Sequence, residues 1–138
     1  MKILALDLGD RWTGSAISDG LGITARPYET VATKELEAFL KKALSEEPIE
    51  TIVVGYPKTM KGTESEQTKK VVAQKEELEK LFPKVKWVLW DERLSSKRAA
   101  AVKKAKTKEA KLRSHSLAAA SILQVYLEYL SASRTSAE

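Results

Sequence analysis

Three acidic residues stand directly after short apolar runs. Asp7 follows Ile3-Leu4-Ala5-Leu6, and Asp91-Glu92 follows Trp87-Val88-Leu89-Trp90. Such runs fold as buried strands, and the carboxyl ends of strands are where open α/β sheets bind their ligands. Carboxylates gathered there suit Mg²⁺ or Mn²⁺, which prefer oxygen donors, and a pair of such ions can activate a water and stabilise the leaving oxygen in phosphodiester hydrolysis. Each acid also has an ordinary structural role. Asp7 could serve the turn before Gly9, and Asp91-Glu92 could charge a helix N-terminus or pair with Arg93. For one acid alone the ordinary role is the commoner; their coincidence at two strand ends is what points to a metal. Composition removes the alternatives: with no cysteine and a single histidine, His115, the chain has no disulfide framework, thiolate zinc site, Cys nucleophile or His-rich cage.

The charge is concentrated. The chain carries a formal +5, yet the segment Lys97–Arg113 holds eight basic residues (Lys97, Arg98, Lys103, Lys104, Lys106, Lys108, Lys111, Arg113) against Glu109 alone, which leaves the rest slightly acidic. A basic segment on an acidic body is the electrostatic footprint of a protein that grips a polyanion, because each Lys or Arg near a phosphate releases counterions. Taken alone, the run slightly favours the ordinary reading of a solvated helix face followed by a floppy loop, because Lys-rich surface helices are common. Lys58 and Lys61, in the loop after another apolar strand, are further candidates for phosphate contacts, with plain exposure as the alternative.

These residues need a frame. Residues 2–7 and 14–18 read as a strand pair joined by a short turn that carries Arg11 and Trp12; the extended run 23–32 contains Pro27 and so belongs at an edge or a bulge. Thr33 is the expected N-cap of a helix whose apolar positions are Leu36, Phe39, Leu40, Ala43 and Leu44. Thr51-Ile52-Val53-Val54-Gly55 reads as a central strand buried on both faces. Thr63-x-x-Glu66 is a capping box for a second helix with a stripe of Val71, Val72, Leu78, Leu81 and Phe82, and residues 84–90 form a fifth strand. A basic helix is expected over 95–105, a mobile connector over 106–113, and a final helix over 114–130, apolar on almost every side and substantially buried. The order is strand, strand, strand, helix, strand, helix, strand, helix, helix, with parallel right-handed crossovers in its later part. The 138 residues fit one domain over 1–131 with 132–138 as a disordered tail. No stretch reaches the roughly 20 apolar residues of a membrane span, and the N-terminus lacks a signal pattern, so a cytoplasmic protein without membrane contact is expected.

Taken in order, the motifs resemble the YqgF family, RNase H-like proteins described as pre-16S rRNA nucleases and as Holliday junction resolvases. The resemblance rests on Asp7-Leu8-Gly9 with Gly14-x-Ala16-x-Ser18-Asp19, Ala25-x-Pro27, Val54-Gly55-Tyr56-Pro57 with Gly62-Thr63, Asp91-Glu92-Arg93-Leu94, and Leu117-Ala118-Ala119-Ala120-x-Ile122-Leu123-Gln124. It covers essentially the whole chain. It implies an α/β RNase H-like fold with a five-stranded mixed sheet flanked by helices. It also implies a Mg²⁺- or Mn²⁺-dependent endonuclease acting on structured nucleic acid, with 5′-end processing of pre-16S rRNA preferred over junction resolution. Nucleic acid, either pre-rRNA or branched DNA, is the expected partner, with ribosomal particles a further one and a monomer or weak homodimer the expected state.

The implied site uses Asp7, Glu92 or Asp91, and an acid at the start of the last helix, but that last position is His115 here. A neutral imidazole can ligate a divalent ion or act as a general base, yet it brings no negative charge. The alternative is a solvent-facing histidine after Ser114. A second departure is Trp12, where the family commonly has Arg; Arg11 is adjacent. The nucleic-acid contacts expected are Arg11, Lys58, Lys61, Arg93, Lys97, Arg98, Lys103, Lys104, Lys106 and Lys108. Two other readings remain: a non-catalytic nucleic-acid or ribosome-associated module of the same fold, and the phosphate hairpin of actin-like ATPases, against which the length speaks.

Overall fold

The computed structural model describes residues 2–9, 11–56, 66–91 and 108–137. In β1 (Lys2–Asp7) every residue from Ile3 to Leu6 is buried, so both faces of the strand need cover. Leu4 and Leu6 pack with Ile17, Ile52, Val54 and the helices α1 (Leu36–Glu46) and α2 (Glu66–Leu81). Ile3 and Ala5 pack with Ala16 and Val53 beneath the final helix, α3 (Lys108–Ala137). The result is a helix–sheet–helix sandwich. Its sheet has the order β3-β2-β1-β4-β5, where β2 is Trp12–Ser18, β3 Ala25–Ala32, β4 Ile49–Tyr56 and β5 Lys86–Asp91. β1 pairs antiparallel with β2 and parallel with β4, and β4 pairs parallel with β5. This is the five-stranded mixed sheet expected.

Both expectations for Pro27 hold. β3 is an edge strand, and the pairing of β2 with β3 shifts register between Gly14 and Ala16, where Ala16 faces Pro27. The buried Ser15 heals the bulge: its hydroxyl donates to the Glu29 carbonyl at 2.6 Å and accepts from the Glu29 amide at 3.0 Å.

Several boundaries differ from expectation, each for a local reason. β2 begins at Trp12, which pairs with Ala32 and is therefore a strand residue, not a turn residue. β3 begins at Ala25 instead of Ile23, because the Asp19 carboxylate accepts the amides of Ile23 (2.7 Å) and Thr24 (3.1 Å) and winds the segment into a turn. Thr33 does not cap α1. Residues Thr33–Glu35 form a 3₁₀ turn ahead of α1, and the Thr33 hydroxyl donates to the Gly9 carbonyl instead. In α2, Val71 and Leu78 are buried but Leu81 is 52% exposed, off the stripe continued by Phe82; Thr63 lies outside the described residues.

α3 departs most. It is helical from Lys108, so 108–113 is not a connector, and it continues through Ala137, over most of the stretch expected as a disordered tail. Good helix formers such as Ala110, Lys111 and Leu112 extend a packed helix at low cost, since propagation adds one hydrogen bond per residue. Among its described side chains only one face is buried, through Ala119, Ile122, Leu123, Tyr126 and Leu127; Leu117 is 40% and Tyr129 54% exposed. The basic helix expected over 95–105 lies outside the described residues. Among the described residues no helix is long and apolar enough to cross a membrane.

Candidate active site

The three parallel strands end on one edge of the sheet, and the register there is specific. Asp7 pairs with Gly14 on one side and Gly55 on the other, and Gly55 pairs with Trp90. Asp7 has the strand parity of Ile3 and Ala5, so its carboxylate is on the α3 face of the sheet. Both flanking positions in its row are glycine, and the next side chain across β4 is Trp90, about 10 Å away at two strand spacings. Trp90 also belongs to the α3-side cluster, with its ring 5.3 Å from Tyr126. Core packing thus accounts for Trp90, and for Trp87, whose indole donates to the Phe82 carbonyl.

The Gly14 position is filled from above. A Cβ placed there would collide with the backbone carbonyl of His115 and stand 2.7 Å from the Ser116 amide nitrogen. The His115–Ser116 backbone of α3, about two turns into the helix, therefore rests on the strand beside Asp7, one spacing of about 5 Å away. His115 is half-buried, and desolvation pushes its imidazole pKa below the ordinary 6.5. A histidine held neutral keeps a lone pair for a cation or a proton. Its alternative as a freely solvated residue after Ser114 does not fit this burial.

The β1–β2 turn is tied down at the same edge. Thr33 donates its hydroxyl to the Gly9 carbonyl at 2.7 Å, meets the Thr13 hydroxyl at 3.0 Å, and gives its amide to the Arg11 carbonyl at 2.9 Å. Gly9 is required, because a Cβ there would strike the Trp12 carbonyl. Arg11 is exposed on this anchored turn, beyond the Asp7 end of β1.

Asp91 ends β5 and its backbone pairs with Tyr56, one register step beyond the Asp7 row. Lys108 is the first residue of α3. Glu92, Arg93, Lys58, Lys61, Lys97, Arg98, Lys103, Lys104 and Lys106 lie outside the described residues. Among the described residues, no three His, Asp or Glu side chains converge as a metal cluster. Sequence reasoning misses what Gly14 and Thr33 contribute: the motif that contains Gly14 gives it no role, and Thr33 reads there only as a cap.

Comparison with known proteins bears on the family and the fold. A family model described as RuvX, Holliday junction resolvase, matches residues 1–129. A protein of Rubrobacter xylanophilus named "Putative pre-16S rRNA nuclease" is 39% identical over 128 residues, 92% of each chain. One of the same name from Clostridium botulinum is 40% identical over 138 residues, 95% of this chain and 99% of its own. Among solved structures, Thermus thermophilus RuvC in complex with a Holliday junction superposes with a TM-score of 0.64 over 96% of both chains at 19% identity, which speaks for the fold. The chain thus belongs to the RuvX (YqgF) Holliday junction resolvase family, nucleases of RNase H-like fold.

Proposed function

We propose that this chain is a divalent-metal-dependent endonuclease that processes the 5′ end of pre-16S rRNA in the cytoplasm, with ribosomal precursor particles as its setting. The observation that carries the reading is the register at the sheet edge: Asp7 lies between two glycines, with the His115 turn of α3 seated on one of them. The full-length relatives named for pre-16S rRNA support RNA over a DNA junction.

The donors fit Mg²⁺ or Mn²⁺: an aspartate on a strand end, a neutral imidazole and a further carboxylate, with no sulfur ligand. Asp7 and His115 would hold the ion with Glu92. Asp91, the last residue of β5, is the fallback for Glu92 as that further carboxylate. When bound, such an ion supplies an acidified water and a positive centre for the leaving oxygen. Arg11 on its anchored turn, Lys58, Lys61, Arg93 and the basic segment Lys97, Arg98, Lys103, Lys104, Lys106 and Lys108 would hold phosphates of the strand on either side.

Purified protein is offered a precursor 16S rRNA fragment and a four-way DNA junction side by side, with Mn²⁺, Mg²⁺ or EDTA. Metal-dependent cleavage of the rRNA precursor supports the proposal. Cleavage of the junction alone reassigns the substrate. His115 in place of a third carboxylate favours one other reading, a binding module of the same fold, which predicts salt-sensitive RNA binding with no cleavage under any metal.

A further inference from the structure

We propose that Gly14 is a positioning residue: by omitting a Cβ it sets the separation between Asp7 and the His115 turn of α3, and so whether His115 and Asp7 can act on one cation. The inference rests on the proposed metal site and deepens it.

Gly14 is the register partner of Asp7, and the space its missing side chain leaves is occupied by backbone, not by a flexible side chain. Backbone cannot swing away, and non-bonded heavy atoms need about 3.5 Å, so an added methyl must drive the helix back by roughly an ångström or more. The neighbouring packing has the same character. Ala16, next on this face of β2, and Ala119, one turn beyond His115, are both fully buried in the cluster beneath α3. Small residues on both partners let helix and strand approach closely just where the acidic strand end lies. Gly9 instead makes room within its own turn, and Gly20, in the β2–β3 turn at the opposite end of the sheet, has nothing within 4 Å of an added Cβ.

The test compares Gly14→Ala and Ala119→Val with Gly20→Ala as control. Ala119→Val lifts the same helix one turn further on, and it serves if Gly14→Ala does not fold. Each is made alone and with His115→Ala, folding is checked by circular dichroism, and Mn²⁺ is titrated calorimetrically. The expected result is a Mn²⁺ affinity lower by about 10- to 100-fold in the first two variants and unchanged in the control, the size seen when a ligand's support is disturbed. In the His115→Ala background the same changes should cost nothing further, because the interaction they disturb is already absent. On rRNA precursor, kcat should fall with KM unchanged. An undiminished Mn²⁺ affinity in folded Gly14→Ala or Ala119→Val overturns the proposal, as does an equal further decrease in the His115→Ala background, which would mean general loosening of the fold. A wild-type chain that binds Mn²⁺ but cleaves nothing overturns the nuclease reading while the calorimetric result still decides the role of Gly14.

Discussion

In the proposed site Asp7 stands between two residues that have no side chains. With Gly14 and Gly55 in its row, neither neighbouring strand places a side chain beside the carboxylate at that level of the sheet edge. Asp7→Asn keeps the shape and removes the charge. Metal-dependent cleavage should fall by at least about 100-fold, since even supporting partners of a metal ligand are worth 10- to 100-fold, while the thermal midpoint stays near wild type. Cleavage assays and melting curves on one preparation check this, and retained activity would remove Asp7 from the site. His115 carries a separate pH signature in the metal-free protein. Burial lowers its pKa in the fold below the unfolded value of 6.5. Between the two values the unfolded chain binds more protons, so stability rises with pH through that window and levels off above it. Urea unfolding at pH 5 and pH 8 should therefore show a larger gain with pH for wild type than for His115→Ala; equal gains would mean that the imidazole is not desolvated.

The elements are readable from sequence where one local cause decides them. In β1 and β4 consecutive apolar residues announce burial on both faces, and Pro27 announces an edge. Thr33 misleads because a hydroxyl before an amphipathic pattern looks like a cap, and the group it serves, the Gly9 carbonyl, lies 24 residues earlier. Gly14 is visible as a glycine, but the backbone that occupies its space comes from about 100 residues later in the chain. Pairings across such separations are properties of topology, which residue types do not encode locally. Thr33 also yields an element-scale prediction. Thr33→Val keeps the volume and loses the hydroxyl, leaving a backbone carbonyl short of a partner, so urea unfolding should show a destabilisation of about 1–3 kcal/mol. As the same hydrogen bonds hold the turn that carries Arg11, affinity for nucleic acid should weaken together with stability. Unchanged binding in the folded variant would separate that turn from the substrate path.

For the whole molecule the governing quantity is the distribution of charge. The chain carries +5 with its positive charge concentrated in residues 97–113, and the rest of the sequence is slightly acidic. Composition therefore points to a polyanion but does not name it, since phosphates are gripped in the same way in any sequence and in both kinds of nucleic acid. The choice between RNA and DNA depends on recognition of the 2′-hydroxyl and of helix shape, which sequence patterns do not reveal. What charge does predict is the response to salt. Neutralising Lys103, Lys104, Lys106 and Lys108 to Gln should reduce the slope of log K against log salt by up to about 3–4, at roughly 0.7–0.9 for each phosphate no longer neutralised. Cleavage at saturating substrate should be preserved, because groups that grip the backbone away from the reacting atoms act on binding, not on the chemical step. Fluorescence anisotropy with labelled precursor RNA between about 50 and 200 mM salt reads the slope. An unchanged slope with unchanged affinity would mean that these lysines are solvated in the complex, and the phosphates would then have to be held by the remaining proposed contacts, Arg11, Lys58, Lys61, Arg93, Lys97 and Arg98.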